Sequence, residues 1–471
     1  MTRTQRLTLI VVCAATAMLM LDIAVVNTAL PNIAEELDTG LGGLQWVVDA
    51  YTLALASVVL SAGFLADRLG RRRLFYIGLG LFTATSIVCG LAPNIHVLNS
   101  ARAAQGICAA IMFAVSLALL AQAFPGTKER AGALAAYGAT IGGSFAIGPL
   151  VGGALTSALD WRWVFLINVP IGLWAIALTR AGVEESKDPH PRRIDWPGQV
   201  TLAGGLFLLV LALLRGNEEG WGSTPIVAEL SGAAVLLAAF LVIQARVQEP
   251  MLPLGLFRNK DFTGAQLSAF AVSASLFAVF IYITLYLQNI LGLSAVEAGL
   301  VFIPGTIFNL GVAGATANLL DRVSARLLIS VGLALGAIGQ VMMALSAGPD
   351  TSWAVLLPGF IVSMIGVGMF NPAVSNVALS SAPAEQSGLA AGVNDTFRQA
   401  GIAVGVAALG ALVPAEAALG GGSAQEYVDG LSSALLAGAG LAAAGAVAAA
   451  LLIGRRAGQP VVAPEAALET S

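Results

Sequence analysis

The chain has 471 residues, of which 57% are hydrophobic and 11% charged, with a net charge of −4 at neutral pH. Soluble domains carry about 25% charged residues, so a mean hydropathy of +0.85 excludes an ordinary soluble protein and points to a bilayer. The acidic balance gives no support to nucleic-acid binding, and the chain holds no P-loop, zinc signature or nucleophile elbow, so ATP-driven pumping by this chain alone is not expected.

A membrane-crossing helix needs about 20 predominantly apolar residues. Fourteen runs qualify in chain order. They are 7–31, 44–66, 74–92, 98–123, 131–157, 163–180, 198–215, 226–245, 262–289, 297–319, 326–346, 353–379, 389–413 and 432–453. The first run is longer than the apolar core of a signal peptide and lacks a small-residue cleavage site, so it reads as a retained helix. The 54 glycines allow close helix packing. Cys13, Cys89 and Cys108 fall in apolar runs and read as small core residues, with no metal set. With the N-terminus inside, only Arg162 and Arg215 of the 23 basic residues lie outside, while Arg102 and Arg398 lie within spans. The positive-inside rule is therefore satisfied with both termini cytoplasmic.

Charged residues inside the spans come next. Asp22, in Leu21-Asp22-Ile23-Ala24-Val25-Val26-Asn27-Thr28-Ala29-Leu30-Pro31, lies roughly 22 Å along the first span. An unpaired acid at that depth is costly, which suits a proton carrier; the plainer reading is a carboxyl hydrogen-bonded to a neighbouring helix. Asp49 and Tyr51 lie near the outer end of the second span. An acid facing a cavity there favours a cationic substrate, while an interfacial acid would only be solvated. Arg102 opens the fourth span and reads as a partner in the layer of Asp22 and Asp49, or as a snorkelling interfacial arginine. Asp395 and Arg398 sit one turn apart in the thirteenth span, as a structural pair or a substrate contact.

Glycines and loops complete the pattern. Residues 63–75, Gly-Phe-Leu-Ala-Asp-Arg-Leu-Gly-Arg-Arg-Arg-Leu-Phe, place Arg68, Arg71, Arg72 and Arg73 in one short loop after Asp67, with Gly63 and Gly70 for close approach and a tight turn. Gly142, Gly148, Gly152 and Gly153 punctuate the fifth span around Pro149, which removes a backbone hydrogen bond. They allow bending and sliding, or simple close packing. The segment Asp160-Trp161-Arg162-Trp163 through Asn168-Val169-Pro170 reads as a structural entry to the sixth span. Ala317 to Arg326, with Asp321 and Arg322, is a worn copy of the 63–72 segment. It makes the last six spans a repeat of the first six, with an inserted pair between them.

The 63–75 segment resembles the loop between helices 2 and 3 of the major facilitator superfamily. The 21–31 segment and the Gly-Pro-x-x-Gly-Gly cluster of the fifth span resemble signatures of its 14-helix drug:proton antiporters, and Arg102-Ala-Ala-Gln105-Gly106 resembles the family's helix 4 motif. The resemblance implies an all-α integral membrane fold of 14 helices. It divides into a six-helix bundle at 1–182, a cytoplasmic link with inserted helices at 183–261, a second six-helix bundle at 262–454 and a cytoplasmic tail at 455–471. It further implies a multi-pass exporter of the bacterial inner membrane, driven by the proton gradient without a cofactor and functional as a monomer. Its expected partners are protons, the lipid bilayer and a small hydrophobic, cationic substrate, with no nucleic acid. Proton coupling falls to Asp22 and Arg102. Substrate contacts fall to Asp22, Asp49, Tyr51, Asn27, Tyr137, Phe280 and Tyr286. Gating falls to Gly63, Asp67, Arg68, Gly70, Arg71, Arg72, Asp321 and Arg322, with Asp67 resembling the family's gating acid. The hinge is Gly142, Gly148, Pro149, Gly152 and Gly153. A dedicated exporter of one natural product and a transporter-like sensor or assembly protein are the rival readings.

Overall fold

The computed structural model describes residues 1–124, 127–187, 194–320, 322–382, 387–418 and 422–454. Asp321 and the tail at 455–471 lie outside the described residues, as do the side chain of Asp67 and the surroundings of Gly142. The described residues are helical and contain no strand.

The N-terminal helices are α1 (Arg3–Glu36), α2 (Leu41–Leu69), α3 (Arg71–Gly90), α4 (Ile95–Ala123), α5 (Thr127–Ala158), α6 (Trp163–Leu166) and α7 (Asn168–Gly182). Then come α8 (Trp196–Glu219) and α9 (Thr224–Arg246). The C-terminal helices are α10 (Lys260–Val272), α11 (Phe280–Leu285), α12 (Ala295–Leu319), α13 (Ala325–Ser346), α14 (Leu357–Ser380), α15 (Ser387–Gly410), α16 (Ala415–Ala418) and α17 (Ala424–Leu452). Helix starts carry the caps their sequences encode. Thr2 with Gln5, Ser294 with Glu297 and Ser423 with Glu426 form capping boxes. Asn94 and Asp195 cap α4 and α8 through single side-chain acceptors. Gly70 joins α2 to α3 at φ 108°, a left-handed conformation open to glycine.

Twelve described helical segments are long and apolar enough to cross a membrane. Of the two expected spans outside that count, 131–157 contains residues whose side chains lie outside the described ones, its described apolar stretch being Ile147–Ala158, and 389–413 does not meet the mark. They lie in α5 and α15, helices of 32 and 24 residues, and α15 carries Asp395, Thr396, Arg398 and Gln399. The expected ninth span is one helical rod, 260–290, interrupted by π-helical turns at Ser273–Phe277 and Tyr286–Ile290. Such turns are frequent at functional sites.

The helices α8 and α9 pack on each other, and α8 lies against α2 and α15. Between the N- and C-terminal groups, α2 packs on α15 and α5 on α12. At the face where α1 ends and α2 begins, polar contacts pin the two groups together. Gln45 Nε2 donates to Tyr282 Oη at 2.8 Å, and Tyr282 Oη donates to Val406 O. Gln288 Nε2 donates to Thr28 O at 3.0 Å.

Candidate functional site

Four helices converge on Asp22, which has no solvent exposure. On α1, Met20 and Ile23 share one face; Asp22 is turned away from both at 100° per residue and faces α3, α4 and α7. Arg102 and Gln105, one turn apart on α4, reach it together. Arg102 Nη1 donates to Asp22 Oδ2 at 2.5 Å and to Gln105 Oε1 at 2.7 Å, and its Nε donates to Val47 O at 3.0 Å. Gln105 Nε2 and Asn168 Nδ2 donate to Asp22 Oδ1 at 3.0 and 2.8 Å, and both also reach Ser86 Oγ. The Tyr51 ring covers the guanidinium with its centroid 4.3 Å from Arg102 Cζ.

Of the readings open for Asp22, the carboxyl hydrogen-bonded to neighbouring helices is the one this geometry matches. Asp22 is a buried carboxylate with a counter-charge and two amide donors, in an ion pair whose side chains are 2% and 0% exposed. Sequence reasoning gave Gln105 no role of its own, left out Ser86, and treated the Asn168 segment as structural. For Asn168 the signal was a polar side chain in an apolar run beside a proline break; Ser86 gave none.

The other expected substrate residues lie elsewhere. Asp49 is fully buried, and neither carboxylate oxygen has a hydrogen-bond partner. Tyr137 is buried beside Phe113, ring centroids 6.4 Å apart, with its hydroxyl unpartnered. Asn27 turns back on α1 towards Ile23 O at 3.5 Å. Tyr286 Oη donates to Gly348 O at 2.6 Å, and its ring stacks on Tyr427.

A cavity of about 120 Å³ lies between the N- and C-terminal helices. Its N-terminal wall, Met20, Ile23, Phe113, Ile141 and Pro149, is entirely apolar. Its C-terminal wall has apolar members, Phe277 and Phe280 among them, and supplies every polar group: Ser273, Thr306, Asn309, Asn371, Asp395, Arg398 and Gln399. Of the seven expected substrate residues, Phe280 lines this cavity. Asp22, Asp49, Tyr51, Asn27, Tyr137 and Tyr286 do not, because their helix faces turn into the packing between neighbouring helices. Asp395 and Arg398 are absent from the ion pairs of the described residues. Arg398 Cζ instead lies 5.9 Å from the Phe277 ring centroid.

Gly148, Gly152 and Gly153 of the fifth span stand at close approaches between helices. A Cβ at Gly148 would overlap Ala24, and one at Gly152 would sit 2.6 Å from Val25 O, so α5 packs directly on the α1 backbone. A Cβ at Gly153 would sit 2.8 Å from Val296 Cα on α12.

In the arginine loop, Glu185 gathers the start of α3. Its carboxylate accepts from Arg72 N at 3.1 Å and Arg73 N at 3.0 Å, as an anion at a helix N-terminus does. Arg71 N donates to Ser186 O at 2.9 Å. Arg68 and Arg322 are exposed, and Gly63 has open space where a side chain would stand.

A model of the Major Facilitator Superfamily matches residues 12–406. The chain is 37% identical over 415 residues to the multidrug resistance protein Stp of Mycobacterium tuberculosis (strain CDC 1551 / Oshkosh), covering 88% of this chain and 77% of the relative. It is 37% identical over 416 residues to the cephamycin export protein CmcT of Amycolatopsis lactamdurans, covering 87% and 85%. Among solved structures, a peptide transporter, POT, in complex with sulfate superposes with a TM-score of 0.67 at 15% identity, covering 95% of each chain.

Proposed function

The chain belongs to the major facilitator superfamily, and from that premise we propose that it is a proton-coupled antiporter exporting hydrophobic, cationic drugs or toxic compounds by alternating access. It is a transporter rather than an enzyme. In this reading α5 and α15 join the twelve apolar segments as spans. Two six-helix halves, 1–182 and 262–454, rock about the cavity, and α8 and α9 are the inserted pair. The protein works as a monomer in the bacterial inner membrane, with both termini in the cytoplasm and the proton gradient as its driving force. The pinned α1–α2 face is then the closed outer side.

The observation that carries the reading is the buried Asp22–Arg102 contact at 2.5 Å. A proton entering from outside takes the carboxylate from Arg102 and loosens α1 from α4. Each proton supplies about 2.3 kcal/mol per 100 mV of membrane potential. The drug-resistance and export roles that the relatives' names carry support the export direction. Asp67, Arg68, Gly70, Arg71 and Arg72, with Gly63 and the second copy at Asp321 and Arg322, form the cytoplasmic gate in this scheme. The order that Glu185 imposes on the start of α3 supports that role.

In inverted vesicles, Asp22→Asn abolishes proton-linked drug uptake; uptake that remains coupled refutes the assignment. The similarity to a cephamycin export protein favours a second reading, a dedicated exporter of one natural product. A susceptibility panel in an efflux-deficient host separates the two, since a dedicated exporter protects against one compound class alone.

A further inference from the structure

We propose that the inserted pair α8–α9 is a strap carried by the N-terminal half. Gln199 is the positioning residue that fixes it to α2, and Asn217 makes a latch on the outer end of α15 that parts when the outer side opens. The inference rests on the alternating-access reading and gives the inserted helices a place in it.

The two ends of α8 are held differently. Near its start, Gln199 Nε2 donates to Ser57 O at 2.7 Å, and Gln199 Oε1 accepts from Ser61 Oγ at 2.5 Å. Ser57 and Ser61, both on α2, are 5% and 9% exposed. Breaking this pair of bonds strands polar groups away from water, which is costly. Further along, the Phe207 ring of α8 lies 5.6 Å from the Trp46 ring of α2. At the outer end the contact changes partner. Asn217 Nδ2 donates to Ala411 O, just past the last residue of α15. Carbonyls at a helix end have no intrahelical partner, and Asn217 is exposed. Water therefore takes either place when the two separate, so this bond breaks cheaply.

The pair moves as one piece. Asp195 caps α8 through Gly198 N at 2.9 Å and accepts from Gln244 Nε2 of α9 at 2.6 Å, and Gln244 Oε1 accepts from Leu252 N at 2.9 Å. At the outer end, Arg215 of α8 pairs with Glu229 of α9. Beyond Leu252 the chain is tied to the C-terminal group instead. The Phe257 ring lies 5.9 Å from the Phe397 ring of α15, and Asn259 Nδ2 donates to Ser381 O at 3.0 Å. The joint between the two attachments is the run from Leu252 to Phe257, which reaches about 17 Å when extended. Gln244 holds Leu252 next to the start of α8. The joint and the Gln199 anchor thus lie at one end of the strap and the latch at the other, so hinging at the joint opens the latch.

The test uses the full-length protein in lipid nanodiscs, with nitroxide pairs whose dipolar broadening reports their separation. The wild type carried through the same labelling gives the background from Cys13, Cys89 and Cys108. Buffers at pH 5 and pH 8 serve only to bias the two states. Ser157→Cys/Val296→Cys spans the outer contact of α5 with α12; it should show broadening in one buffer and lose it in the other. Gly222→Cys/Leu412→Cys, at exposed positions beside the latch, should change with it. Trp46→Cys/Phe207→Cys, between α2 and α8, should keep its broadening in both buffers and lose it in one when Gln199→Leu is added. A Trp46/Phe207 pair that varies with Gln199 in place, or a Gly222/Leu412 pair that does not follow Ser157/Val296, overturns the strap and leaves alternating access standing. A strap that still follows α2 in Gln199→Leu overturns Gln199 as its anchor. No change at Ser157/Val296 overturns alternating access together with the strap.

Discussion

Removing Arg102 should expose how tightly the N-terminal helices depend on one contact. In Arg102→Leu, Asp22 remains fully buried with Gln105 and Asn168 as donors but without a counter-charge. Breaking a buried ion pair by deleting one member costs about 3–5 kcal/mol. The lost hydrogen bond to Val47 O adds about 1 kcal/mol, and the lost Tyr51 contact adds a similar amount. Replacing both partners, in Asp22→Leu/Arg102→Leu, removes the stranded charge. Stability should then return to within about 2 kcal/mol of the wild type, because apolar pairs substitute for buried ion pairs at little net cost. Reversible unfolding in mixed micelles at pH 7 measures all four corners of the cycle. A single-variant loss below about 1 kcal/mol, or a double variant whose loss equals the sum of the two singles, refutes the argument.

Two further outcomes follow from contacts outside that cluster. Glu185→Gln weakens the cap on α3, so amide exchange at Arg72 and Arg73 should accelerate about tenfold; unchanged exchange means the carboxylate does not hold the helix start. Gly153→Ala places a methyl group against the α12 backbone at Ala295 and Val296. Spin labels on the adjoining ends of α5 and α12 should report a longer distance than in the wild type, and an unchanged distance shows that the contact yields without parting the helices.

Much of the helical layout was legible because a bilayer demands long apolar runs, and those runs survive in the residue order. The exceptions are instructive. The helix α15 lines the cavity with Asp395, Arg398 and Gln399, and those polar side chains dilute its apolar signal. Asp22 and Arg102 stood out individually, since each is a charge in an apolar run. That they meet depends on the rotation of α1 and α4 about their axes, and a shift of one residue turns a side chain by 100°. The same rotation carried Asp22 away from the cavity and brought Met20 and Ile23 to it. Asn168 and Glu185 act through contacts distant in sequence, with Asp22 on α1 and with the amides of α3, and no local pattern encodes such meetings.

The unequal walls of the central cavity carry a consequence for heredity. The polar groups that would distinguish one compound from another lie between residues 273 and 402, while the Asp22 cluster lies between residues 22 and 168. On the proposed mechanism, a lineage can therefore acquire a new spectrum of tolerated compounds by changes confined to one half of its gene, leaving the half that holds Asp22 untouched. Recombination near the middle of the gene would exchange one property without the other.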